Sequence, residues 1–223
     1  MNNEAELAIA QVKQAGLSKK INADSWNNEY EDIISEWGEK ASGLRYMHNN
    51  SAGYWRSISN TLTLYSIIAT SLASSVSLVA GSLEDRNTKD IVLFTAGGIG
   101  LVTSFIQSMK KFYNCEEKAA EHGSIAKQFG SYYRYITLQM GMSREDRRPS
   151  DELFEWSLKE YERLQLEALP LREEDIIAYK KAFKDSKQAA PDNCRTDYEI
   201  KIYNRDSTAI NELQLSELNM SSP

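Results

Sequence analysis

The chain is poor in the residues from which secreted scaffolds and metal centres are built. Among 223 residues it has two cysteines, Cys115 and Cys194, and two histidines, His48 and His122. Two cysteines make no disulfide framework, and neither stands at a metal-ligand spacing. Basic residues are outnumbered, 26 against 32 acidic, so the net charge is −6. That balance offers no basic face for nucleic acid. The N-terminal stretch MNNEAELAIAQVKQ lacks a basic region followed by an apolar one, which excludes a secretory signal.

The most informative absence is of charge itself. No Asp, Glu, Lys or Arg lies between Arg56 and Glu84, and none between Asp90 and Lys110. About 20 apolar residues cross the hydrocarbon core of a bilayer as a helix, and both runs are long enough. Backbone groups find no water there, so helix is the state such a run adopts. A hairpin buried in a soluble bundle is the competing reading, but core helices of soluble proteins usually keep a polar stripe of charges. The mean hydropathy of −0.52 averages an apolar hairpin with very polar flanks. The pattern predicts an all-α chain with transmembrane helix 1 over 57–83, a short turn over 84–90 and transmembrane helix 2 over 91–109. The first of these would itself serve as the targeting signal.

The flanks are helical in period. Residues 1–22 form an N-terminal arm with weak apolar spacing at Ala5, Ile9 and Val12. A helix within 23–56 starts near Asp24 or Ser25, both good N-cap types. Its apolar face is Trp26, Tyr30, Ile33, Trp37, Ala41, Leu44 and Met47, weakening around Asn49, Asn50 and Gly53. After the second run the period continues over 110–140, through Phe112, Cys115, Ala119, His122, Phe129 and Ile136. Unbroken, 91–139 is one rod of roughly 70 Å. Further helices occupy 150–185, with Ser150 as a cap and Pro170 ending the first. A polar tail, 186–223, contains only Tyr198, Ile200 and Ile202 alternating like a strand. The predicted architecture is a two-helix transmembrane hairpin continuing into a cytoplasmic helical stalk or bundle, with a polar C-terminal tail.

Tyr54, Trp55, Phe112 and Tyr113 flank the runs as interfacial anchors. Arg45, Arg56, Lys110, Lys111 and Lys118 lie outside the hairpin, against Arg86 and Lys89 in its turn. The positive-inside rule places both termini in the cytoplasm, or on the equivalent face of a virion membrane.

Three constellations stand out. Thr63, Ser66, Thr70, Ser74 and Ser77 share one face of the first membrane helix. They either line a water-filled path in an oligomer or pack closely, their hydroxyls bonded to carbonyls of the same helix. No ionisable acid, base or His lies within either span, which favours packing. Ala96, Gly100, Ser104 and Ser108 form a small-residue ladder on the second helix, suited to tight helix contact. His48 and His122 lie at similar heights in the stalk, as a metal or pH-sensing pair or as partners of acids such as Glu117 or Glu121. No Ser-His-Asp, Cys-His or paired-carboxylate set has supporting context, and GGIG lacks the Lys-Ser/Thr of a phosphate loop. The sequence predicts no catalytic residue, cofactor or metal.

The stretch Trp37-Gly-Glu-Lys-Ala-Ser-Gly-Leu44-Arg45-Tyr46-Met47-His48 leads into the hairpin. Lys111-Phe112, Glu121-His122 and Gln128-Phe129-Gly130-Ser-Tyr132-Tyr133-Arg134 follow it. This order, over about residues 26–170, resembles the SLATT group of two-transmembrane domains with a cytoplasmic helical extension. Leu44 stands where that pattern carries an aromatic. The resemblance implies a pore-forming membrane effector of nucleotide-sensing conflict systems; stand-alone versions are found among proteins of large DNA viruses. The expected function is therefore non-enzymatic: an integral membrane protein that self-associates through its hairpin. The alternative is a structural anchor linking a membrane to a protein shell, such as a minor capsid or inner-membrane protein of a large DNA virus. The expected partners are the lipid bilayer, further copies of the chain, and a protein shell or sensor protein, with no nucleic acid.

Overall fold

The computed structural model describes residues 2–195, with side chains from Gln11 onward except Val12. The spacing at Ala5, Ile9 and Val12 and the strand-like Tyr198, Ile200 and Ile202 lie outside the described side chains. The described residues form helices without a strand: α1 (Asn2–Ser25), α2 (Asn28–Gly81), α3 (Arg86–Tyr113), α4 (Cys115–Gly141), α5 (Ser150–Glu167) and α6 (Glu173–Ala182), then a short 3-10 turn, Asp192–Cys194.

α2 is the spine, 54 residues and about 80 Å long. Its start lies at Asn27, whose side chain accepts the Tyr30 amide proton at 2.7 Å. The break from α1 therefore falls at Trp26 and Asn27, a few residues beyond the start expected at Asp24 or Ser25. Trp26 is buried in that break, under the Arg147 guanidinium. The helix runs unbroken through Asn49, Asn50 and Gly53. His48, Ser51 and Ala52 are buried there, so a polar seam continues where the apolar pattern fades.

The return arm is bent. Asn114 adopts a left-handed conformation, φ 48°, and separates α3 from α4, so 91–139 is not one rod. Asp85 caps α3 by accepting the Thr88 amide proton, and Lys110 and Lys111 close its last turn, complementing the helix dipole.

Below the bend the chain forms a bundle with an aromatic and aliphatic interior. Ile34, Leu44 and Met47 of α2 meet Ile125, Phe129, Tyr132 and Ile136 of α4, and Leu153 and Leu164 of α5 close over them. Glu31 ties the far end together. Arg144 binds it through two nitrogens and Arg147 through one, and these guanidinium groups hold its carboxyl below the usual range. Ser150, read as a cap, instead donates its hydroxyl to the Ser25 carbonyl.

Part of the segment read as a polar tail from 186 returns to α2. Gln188 and Ala189 bond Glu39, Lys40 pairs with Asp192, and Pro191 and Cys194 are buried. Gly43 makes the room. A Cβ there would stand 2.5 Å from Pro191 Cγ and 2.9 Å from the Tyr179 ring.

Two stretches of helix, α2 and Arg86–Gly141, each contain a window long and apolar enough to cross a membrane. None of the most apolar window of the first is buried, and 11% of the second. Neither window is packed as a core within the chain.

Candidate functional site

In the apolar half, α2 turns inward Ser59, Leu62, Ser66, Ala69, Ala73, Val76 and Ala80. α3 answers with Lys89, Val92, Ala96, Ile99, Thr103, Ile106 and Lys110. Each set alternates steps of three and four, the period of a left-handed coiled-coil seam. The fully buried members are Ser59, Ser66, Ala80, Ala96 and Thr103, all small. Small residues let two backbones approach without a hydrophobic drive between them.

This seam differs from both stripes read in the sequence. Of the α2 hydroxyl stripe, Ser66 is buried in the seam and Thr63 half-buried, while Thr70, Ser74 and Ser77 are exposed. Thr63, Thr70, Ser74 and Ser77 each donate to the carbonyl four residues back. Of the α3 ladder, Ala96 is buried and Gly100 half-buried, but Ser104 and Ser108 face outward. A four-residue ladder drifts around a helix of 3.6 residues per turn, so only its first half meets α2.

The hydroxyl stripe and two residues of the ladder, Gly100 and Ser104, instead wall one groove. On one side of the helix pair lie two hollows, of about 410 and 690 Å³, sharing Thr70 and Gln107. The α2 wall carries all five residues of the hydroxyl stripe; the α3 wall carries Gly100, Thr103, Ser104, Gln107 and Lys110. The opposite side is a separate apolar crevice, with Ile58, Leu62, Phe105 and Ile106. The sequence does not single out Gln107, and it offers Lys110 only as a basic residue flanking the hairpin. A glutamine in an otherwise apolar run was the available signal.

The groove ends on an ion pair that joins three helices. Lys110 Nζ donates to Thr63 Oγ1 at 2.9 Å and meets Glu116 Oε1 at 2.6 Å. Ser59 Oγ donates to the same carboxylate at 3.2 Å. The lysine beside it holds the Glu116 carboxyl below the usual range. No family model, no curated protein and no solved structure matches the chain.

Further into the bundle the structure brings His48 and His122 together, Nδ1 to Nδ1 at 2.9 Å. One ring must donate and the other accept, so the contact requires at least one ring to be neutral. His48 is fully buried and stacks on Phe129, centroids 5.8 Å apart. α6 closes the cluster: buried Asp175 is held by Arg172 at 2.7 and 2.9 Å and accepts from Ser51. Burial pushes His48 down to about 4, helped by His122, and burial lowers His122 as well. Among the described residues no three His, Cys, Asp or Glu are placed to hold a metal ion.

Proposed function

We propose that the protein is a two-pass membrane protein whose copies associate through the groove between α2 and α3, forming a pore-type assembly with the bundle and both termini on the cytoplasmic side. The observation that carries this reading is the polarity of that groove. The helix pair exposes large apolar side chains away from the groove, Phe94 at 86% and Leu101 at 76%, yet lines one side with hydroxyls, Gln107 and Lys110. The hydroxyls of Thr63, Thr70, Ser74, Ser77 and Thr103 bond to their own helix, so burying them against another copy costs little. Lys110 draws its partners from Thr63 and Glu116, but the Gln107 amide is costly to turn towards lipid. A neighbouring copy or a column of water answers that demand.

The orientation rests on Arg56, Lys110, Lys111 and Lys118 at the bundle end against Arg86 and Lys89 at the turn. The resemblance to the SLATT group supports the same arrangement. The protein reads as non-enzymatic: its buried polar cluster at His48 holds helices together and opens on no cavity assigned above.

Reconstituted in planar bilayers, the purified protein is expected to conduct. Thr70→Leu and Ser74→Leu alter exposed positions of the groove and should lower unit conductance while helicity is unchanged. A correctly inserted oligomer that passes no current would remove the pore reading and leave membrane anchoring as the function.

A further inference from the structure

The groove has one ionisable side chain in its lining, Lys110. All its other lining groups are hydroxyl, amide, backbone or apolar. Lys110 is held in place from α2 and α4 at once, by the Thr63 hydroxyl and the Glu116 carboxylate. Its counter-ion does not cancel it evenly. The lysine side chain is 26% exposed and the glutamate 72%. Glu116 lies past the bend at Asn114, on a neighbouring hollow shared by Lys110, Lys111 and Glu117. Water and salt screen an exposed carboxylate strongly and a partly enclosed ammonium much less.

The geometry points to Lys110 as the group that sets ion selectivity in the groove, so that the permeant species are small inorganic anions. Glu116 is its positioning residue: it holds the amine against Thr63 and tempers its field. In a closed symmetric assembly Lys110 recurs once per copy at one height, making a ring of positive charge. Rings of Lys or Arg select anions as rings of Asp or Glu select cations. This assignment rests on the pore reading above and adds to it the charge of what passes.

The test is the reversal potential of the reconstituted full chain under a KCl gradient. The unaltered protein is expected to reverse on the chloride side of zero. Lys110→Gln should move the reversal potential to zero or beyond it towards potassium, and Lys110→Arg should leave it in place. Glu116→Gln, which removes the opposing charge but keeps a side-chain oxygen to accept from the amine, should move it further towards chloride, and it carries the test alone if Lys110→Gln does not fold. Currents whose reversal potential is the same in all these variants overturn the assignment and leave the pore standing. If copies carrying Ser74→Cys cross-link across the groove in the bilayer yet pass no current, the pore reading falls, and this assignment with it.

Discussion

The two halves of α2 face opposite kinds of interior. Towards its N-terminus the inward residues are Ile34, Leu44 and Met47, packed on Phe129 and Ile136, with charged side chains outside. From Ser59 onward the fully buried residues are small or hydroxylated, and large apolar groups such as Leu64, Leu72 and Leu78 point outward. The spacing of the seam is similar in both halves, but its chemistry is inverted. Water around a helix pair drives the apolar face inward. Hydrocarbon around a helix pair removes that drive, and close packing of small residues takes its place. On the membrane reading proposed above, one continuous helix thus passes between two solvents, changing near Tyr54, Trp55, Phe112 and Tyr113.

The contrast is broken most directly by emptying one side chain in each half. Phe129 is fully buried and rests on His48, so Phe129→Ala should cost the bundle about 3–5 kcal/mol. Phe94, outward in the hairpin, should cost within about 0.5 kcal/mol on truncation. The measurement is the urea midpoint of bundle helicity for both variants in the same detergent. Equal losses would mean that the hairpin, like the bundle, keeps its aromatic groups inside.

Acid should separate the halves less sharply but still measurably. His48 and His122 are held neutral by burial, below the ordinary imidazole value of 6.5. The unfolded chain therefore binds more protons than the folded one between about 4 and 6.5. Their contribution is complete above the unfolded value and is lost as pH falls through that window, by about 1–3 kcal/mol. His48→Leu with His122→Leu replaces both partners of one bond and should flatten the slope. A double variant that keeps the full acid sensitivity would assign it to other groups. The first arm of the hairpin, with no Asp, Glu, His, Lys or Arg over 57–83, should be indifferent over the same range.

Much of this was legible in the sequence, for local reasons. The charge-free runs, the helical period and α6 follow from spacing, and the two histidines stand at matching heights on neighbouring helices. What could not be read depends on contacts distant in sequence. The hydroxyl stripe and the small-residue ladder look like separate helix faces until α2 and α3 are paired; then the stripe and the ladder's Gly100 and Ser104 face each other across one groove. Lys110 looks like a membrane-flanking charge until Thr63 and Glu116 hold it at the groove. The seating of Pro191 against Gly43 joins residues far apart in sequence, and nothing local marks either partner.

Asn114 is the smallest of these devices and sits where the two halves meet. The α3 seam steps through Thr103, Ile106 and Lys110, and its next member would be Tyr113. Tyr113 is instead 44% exposed, and Cys115 is buried at 1%. A single left-handed residue turns the helix and moves the seam past that step. Such a conformation costs most side chains roughly 1–2 kcal/mol, less for Asn and nothing for Gly. Asn114→Ala should therefore lower bundle stability by about 1 kcal/mol, although alanine is the better helix former. Asn114→Gly should leave the urea midpoint within about 0.5 kcal/mol of the starting chain. If alanine stabilised the protein, α3 and α4 would be one straight rod with Tyr113 turned inward, and the inversion of chemistry along α2 would have no matching bend in its partner.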